Sequence, residues 1–183
     1  NTSVATISNS GLVSGISAGS VTLTYTRNSD GCNNTLPFTV HSIPSSPLAA
    51  TITQPTCITT TGSVELNDLP GSGSWTLQRT PGGTTYTGSG TTYNVTGLPA
   101  NANYTFTLVN ANNCTSLPSS NIVINDIPSD PVLGGESFVC LGSDANVTPN
   151  TLGSWSTTNN AIASITNDGL VTGVSAGTVT LTY

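Results

Sequence analysis

Lysine is absent from the 183 residues, and Arg27 and Arg79 are the only strong cations. A Lys–Asn isopeptide cross-link, one way of locking a β-domain under load, therefore has no amine to form it, and strength must come from strand shear and disulfides. Charged residues are 5% of the chain, against about 25% in an ordinary globular domain. The formal charge of -6 leaves no basic stripe to neutralise phosphates and release counterions, which excludes nucleic acid as a partner. No apolar run approaches the roughly 18 residues of a membrane span, and the sequence opens without a basic-then-apolar leader, which says nothing of a longer protein around it. Intrinsic disorder is excluded by what accompanies the low charge: a mean hydropathy of +0.05 and clear period-2 patterning. Histidine occurs once, as His41. A Ser or Cys nucleophile needs a base oriented by a third group, and no such triad can be assembled around one histidine at the end of a strand beside a link. No enzyme is expected.

What is present is a duplication. Residues 1–25, NTSVATISNSGLVSGISAGSVTLTY, and residues 159–183, NNAIASITNDGLVTGVSAGTVTLTY, agree at 16 of 25 positions without a gap, at an offset of 158 residues. A gapless long-range repeat marks an array that must be read by its unit. Within the unit, Val21, Leu23 and Tyr25 alternate with Thr22 and Thr24, which predicts a half-buried strand with its apolar side chains inward. Gly11, Gly15 and Gly19 fall at turn spacing between short runs, Ala5 to Ser8 and Leu12 to Ser14.

The pattern A-T-I-x-x-x-G-L-V-x-G-x-S-A-G-x-V-T-L-T-Y resembles the bacterial immunoglobulin-like group 2 domain, in the form common on Bacteroidota surface proteins. The resemblance implies an all-β fold of tandem immunoglobulin-like β-sandwich domains in a linear array. Two pentads, Ile43-Pro44-Ser45-Ser46-Pro47 and Ile127-Pro128-Ser129-Asp130-Pro131, read as short semi-rigid links because proline fixes its own φ and restrains its predecessor. They divide the chain into the closing part of one group 2 domain (1–42), a complete immunoglobulin-like or fibronectin-III-like sandwich (48–126) and the opening part of a second group 2 domain (132–183). Candidate strands of the middle domain are 49–54, 63–66, 74–78, 84–87, 92–95, 104–109 and 121–125. Trp75, Tyr104 and Phe106 are its expected core, and Leu98-Pro99 the corner before the Tyr104 strand. In the last segment 137–140 and 145–148 read as strands, and Trp155 as the core tryptophan of a third. The middle domain also resembles, over Q-P-T-C, G-S-V, S-W-T-L, G-L-P, Y-T-F-T-L and N-N-C-T-S, repeats of large gliding-motility and adhesion proteins of the same bacteria.

Four cysteines remain to be placed. Cys57 before the second strand of the middle domain and Cys114 after its sixth are expected at one end of the sandwich, bridged. Cys32 and Cys140 belong to the two partial domains, and their partners are expected outside the sequence. Zinc is disfavoured, since no pair has C-x-x-C spacing and one histidine is available. Glu65, Asp68, Asp126, Asp130, Asp144 and Asp168 are scattered and make no D-x-D-x-D-G calcium loop; Asp126 and Asp130, flanking a link, are the one pair that a calcium ion would bridge. No cofactor is expected. Sequons at Asn1, Asn33, Asn94, Asn103, Asn113 and Asn146 are what an Asn- and Thr-rich chain produces by chance. The reading that results is a stalk or filament segment of a large secreted bacterial cell-surface adhesin, serving attachment or gliding, with neighbouring repeats as partners. Its rival is a carbohydrate-binding module using the threonine faces of its strands, Thr22 and Thr24, Thr105 and Thr107, Thr180 and Thr182, toward surface glycans.

Overall fold

The computed structural model describes residues 1–183. Every regular element is a β-strand, and the chain forms two compact units, Asn1–Pro128 and Ser129–Tyr183.

In the first copy of the repeated stretch, β1 (Ala5–Ile7) and β2 (Val13–Gly15) form a hairpin with Ala5 opposite Gly15. β3 (Gly19–Thr26) then pairs along its whole length with β4 (Asn33–Val40), from Gly19 opposite Val40 to Thr26 opposite Asn33. Their turn is closed by Arg27, whose Nε donates to Asp30 Oδ1 at 2.7 Å. That ion pair raises the Arg27 pKa and lowers that of Asp30, each through its hydrogen bonds to the other. The expected inward face of β3 is only partly realised: Val21 is buried and Leu23 half-buried, but Tyr25 is 75% exposed. A strand buries one face only where a second sheet covers it, and over residues 1–42 that cover is the short β1–β2 hairpin.

The middle segment is a complete sandwich. β5 (Leu48–Thr53), β6 (Thr61–Asn67) and β9 (Tyr93–Pro99) form one sheet; β7 (Ser74–Thr80), β8 (Thr85–Ser89), β10 (Ala102–Val109) and β11 (Ile122–Ile124) form the other, in the order β11-β10-β7-β8. The seven strands are those the turn residues delimit. The period of two does the sorting: Tyr104, Phe106 and Leu108 of β10 are buried, as are Trp75 and Leu77 of β7, Val64 and Leu66 of β6 and Val95 and Leu98 of β9. Trp75 meets Tyr93 edge-to-face with ring centroids 5.4 Å apart, the arrangement the ring quadrupoles favour. Gly88 makes room for that indole, since a Cβ there would lie 2.5 Å from Cη2 of Trp75. The Tyr104 hydroxyl donates to the Pro99 carbonyl at 3.0 Å, tying strand β10 to the corner before it as in a tyrosine corner. Beyond Tyr104 the edge of β10 has no strand partner, and two buried serines replace one: Ser119 Oγ accepts from Phe106 N at 3.0 Å and Ser116 Oγ from Leu108 N at 2.9 Å. The first Pro link is packed rather than free, with Pro47 fully buried.

In the second unit, β12 (Gly134–Gly135), β13 (Asp144–Thr148), β15 (Ala163–Ile165) and β16 (Leu170–Gly173) make a sheet of order β12-β13-β16-β15, and β14 (Ser156–Thr157) pairs with β17 (Leu181–Thr182). Val147, Trp155, Ala163 and Val171 are its core. The Trp155 indole N–H donates to the Pro149 carbonyl at 2.8 Å, and its ring lies 5.1 Å from that of Tyr183. The strand expected over 137–140 is absent: pairing stops at Gly135, opposite Val147, and Phe138 is 79% exposed. The duplicated stretch folds the same way twice. Ala163 faces Gly173 as Ala5 faces Gly15; Ser175 Oγ donates to the Ala161 carbonyl at 2.7 Å as Ser17 Oγ donates to that of Ser3 at 2.8 Å.

Candidate functional site

The structural feature with functional content is a domain written in two places. In chain order the second unit supplies strands A (β12), B (β13), C (β14), D (β15), E (β16) and F (β17), with sheet orders A-B-E-D and C-F. The first copy supplies D and E (β1, β2), then F (β3) hydrogen-bonded to one further strand, β4. Overlaying the copies at their shared strands gives A-B-E-D on one sheet and C-F-G on the other, the seven-strand topology of a constant-type immunoglobulin domain. The two copies differ in what surrounds the shared strands: β4 has no counterpart among the strands of the second unit, and strands A, B and C have none in residues 1–42.

The cysteines do not pair as expected. Cys57 lies in the turn between β5 and β6, at the end of the sandwich where Gln54 bonds Val123 and Asn125 beside the start of β10; its Sγ is 3.7 Å from the Pro128 carbonyl. Cys114 lies in the turn beyond β10, which ends at Val109, and there Ala111 approaches Gly73. β6 and β10 run in the same direction in facing sheets, so a residue before the one and a residue after the other are at opposite ends. The eight residues of β10 separate them by about 25 Å at roughly 3.4 Å per residue, where a disulfide requires Cα atoms within about 7 Å. Cys32, in the β3–β4 turn, and Cys140, beside Gly173, likewise fall at opposite ends of the overlaid domain, since Gly173 is the counterpart of Gly15 at the Val40 end. All four thiols are free, with Cys32, Cys57 and Cys140 exposed and Cys114 half-buried. Without reductant, a thiol reagent should therefore titrate four groups in the monomeric chain, Cys114 the slowest; a linked Cys57–Cys114 peptide in an unreduced digest would contradict the fold.

The remaining polar residues stay apart. His41 is exposed just past β4. No three His, Cys, Asp or Glu side chains are grouped to hold a metal ion; Asp126 Oδ1 instead accepts from the Ile127 backbone N–H at 2.8 Å. Threonines do form rows on the outer face of the middle sandwich, with Thr105 opposite Thr80 and Thr76 opposite Thr87. Ser116 and Ser119 were not legible as sheet substitutes beforehand; the signal is a pair of serines flanking Leu117-Pro118, where proline prevents a regular ladder. No helix is long and apolar enough to cross a membrane.

Comparison with known families agrees with the topology. Residues 143–183 match the bacterial Ig-like domain (group 2), which covers strands B to F of the second unit and includes the whole second copy of the duplicated stretch, residues 159–183. A search of curated proteins finds no match to the chain.

Proposed function

We propose that this chain is a structural repeat segment of a large secreted bacterial cell-surface protein, a stalk or filament built from alternating sandwiches that carries an adhesive function in attachment or gliding. The observation that carries the reading is the offset of 158 residues between two copies whose separate strands add up to one seven-strand domain. A sequence that repeats with a whole second sandwich between its copies builds a series of domains, each neighbour the partner of the next. Its Ig-like (group 2) segment, residues 143–183, is of a type suited to structural and adhesive roles at surfaces. The reading assigns no enzymatic activity, cofactor or metal to these residues. A second reading rests on the threonine rows of β7, β8 and β10, whose hydroxyls would meet surface glycans.

Antibodies raised against residues 48–126 test the proposal. They should label intact, unpermeabilised cells that produce the protein, and the label should disappear after mild surface proteolysis. Labelling that appears only after lysis would overturn it. Binding of the chain to a glycan array at micromolar concentration would favour the second reading.

A further inference from the structure

At one end of the middle sandwich is an open hollow of about 580 Å³, bounded by Ser45, Asn67, Asp68, Leu69, Thr91 and Thr92. Five of these six side chains carry oxygen. Three stretches meet there: the first Pro link, the turn after β6 and the turn before β9. The fold holds them in place without help from the hollow's own side chains. Pro47 of the link is fully buried, Leu48 at the start of β5 lies opposite Asn67, and the Leu69 N–H donates to the Thr91 carbonyl at 3.1 Å, joining the two turns. Neither arginine lines the hollow: Arg27 pairs with Asp30, and Arg79 lies over the Tyr104 ring with its Nε donating to the Pro81 carbonyl. The atom left unsatisfied is Asn67 Oδ1. It is closed to water and accepts no hydrogen bond, the one buried side-chain oxygen or nitrogen in that condition, and an enclosed acceptor without a partner is costly. Next to it in sequence is Asp68, exposed, in no ion pair and acceptor-only when ionised.

We propose that this hollow is a calcium site, formed by Asn67 Oδ1, the Asp68 carboxylate and oxygens of Ser45, Thr91 and Thr92, which fastens the first link to the sandwich. The chemistry selects the ion. Oxygen donors with one carboxylate among them suit a hard cation, and Ca²⁺ takes six to eight such ligands, carbonyls and waters included, at about 2.3–2.6 Å in adaptable geometry. A water would donate from about 2.7–2.8 Å, and a bare calcium ion is smaller and approaches an enclosed oxygen more closely. Mg²⁺ is smaller still, but it demands near-ideal octahedral geometry and sheds its waters reluctantly, which does not suit donors drawn from three separate stretches of backbone. A single carboxylate makes the site weak, in the range of about 10⁻⁴–10⁻³ M known for extracellular modules. Bound there, the ion would tie Ser45 to both turns, so that the set of the link depends on calcium as well as on Pro47. The site lies within residues 45–92 and draws on neither partial domain. It is independent of the surface role proposed above, which a failure here would leave standing.

The test titrates Ca²⁺ alone into the full chain at constant ionic strength and follows the backbone amides by NMR. Saturable shifts are expected at Ser45, at Asn67 to Leu69 and at Thr91 and Thr92, with a Kd of about 10⁻⁴–10⁻³ M. At ten times Kd the melting midpoint of the sandwich should rise by about 6–11 °C, by mass action on the folded state of a domain of this size. Asp68→Asn is the variant to compare, because Asp68 is exposed and asparagine tolerates its φ of 60° equally well. The fold is kept, and with the one charged ligand gone Kd should rise at least about tenfold. The proposal is overturned if the shifts do not saturate by about 10 mM, above the range for such sites, or if Mg²⁺ at equal concentration gives the same response. It is equally overturned if Asp68→Asn binds as tightly, or if the shifts gather at Asp126 and Asp130 instead.

Discussion

Appending a second copy of residues 26–42 directly after Tyr183 should raise the thermal stability of the second unit. The added segment carries the β4 sequence in the same register to Gly177–Tyr183 that β4 has to β3. It would place Leu36 and Phe38 over Val171, Ala163 and Trp155, a core whose members now retain 6–8% of their surface exposure. Each of the two side chains contributes about 1.5–3 kcal/mol when fully buried, and part of that is offset by ordering the strand. A net gain of about 3 kcal/mol would slow exchange of the Ala163–Gly173 amides about 100-fold. Calorimetry of the two chains side by side reads the result directly. An unchanged heat trace would mean that the seven-strand overlay is not a folding unit.

Replacing Phe106 by alanine should cost the middle sandwich about 3–5 kcal/mol, a large share of the roughly 5–15 kcal/mol that holds a domain of this kind together. Phe106 has no exposed surface and lies among Tyr86, Leu77 and Leu108 in the middle core. A domain of this size loses about 4–8 °C per kcal/mol, so its midpoint should fall by at least about 12 °C. Phe138→Ala is the control, because that ring is 79% exposed and its loss should change stability by no more than about 0.5 kcal/mol. Equal effects at the two positions would contradict the assignment of inner and outer faces.

Those two phenylalanines also mark how far the residue pattern alone reaches. Tyr104, Phe106 and Leu108 alternate with Asn and Thr between glycine, proline and asparagine turns, so their strand and its buried face follow from local chemistry. Trp75 and Trp155 were legible as core for the same reason. The run Ser137-Phe138-Val139-Cys140 has equal β-propensity, yet pairing ends at Gly135, because whether a segment joins a ladder depends on the partner edge. Tyr25 alternates correctly and is still exposed, since a face is inner only when a second sheet lies over it. The disulfide failed on a tertiary quantity, the relative direction of β6 and β10 in facing sheets, which no spacing of cysteines records. The candidate site was half legible: the duplication and its offset announced a shared domain, but that the two copies contribute complementary strands required the registers of β3 with β4 and of β14 with β17.

The most direct measurement is amide hydrogen exchange, resolved by residue, on the full 183-residue chain at low concentration. Exchange by local opening is slow where apolar burial is continuous and fast where strands are open at an edge or uncovered on a face. If one complete sandwich stands between two portions of a second domain type, the amides of β6, β7, β9 and β10 should exchange only through global unfolding of the middle sandwich, while those of residues 1–42 and 132–183 exchange far sooner. Uniform protection of all three segments in a monomeric sample would contradict the account.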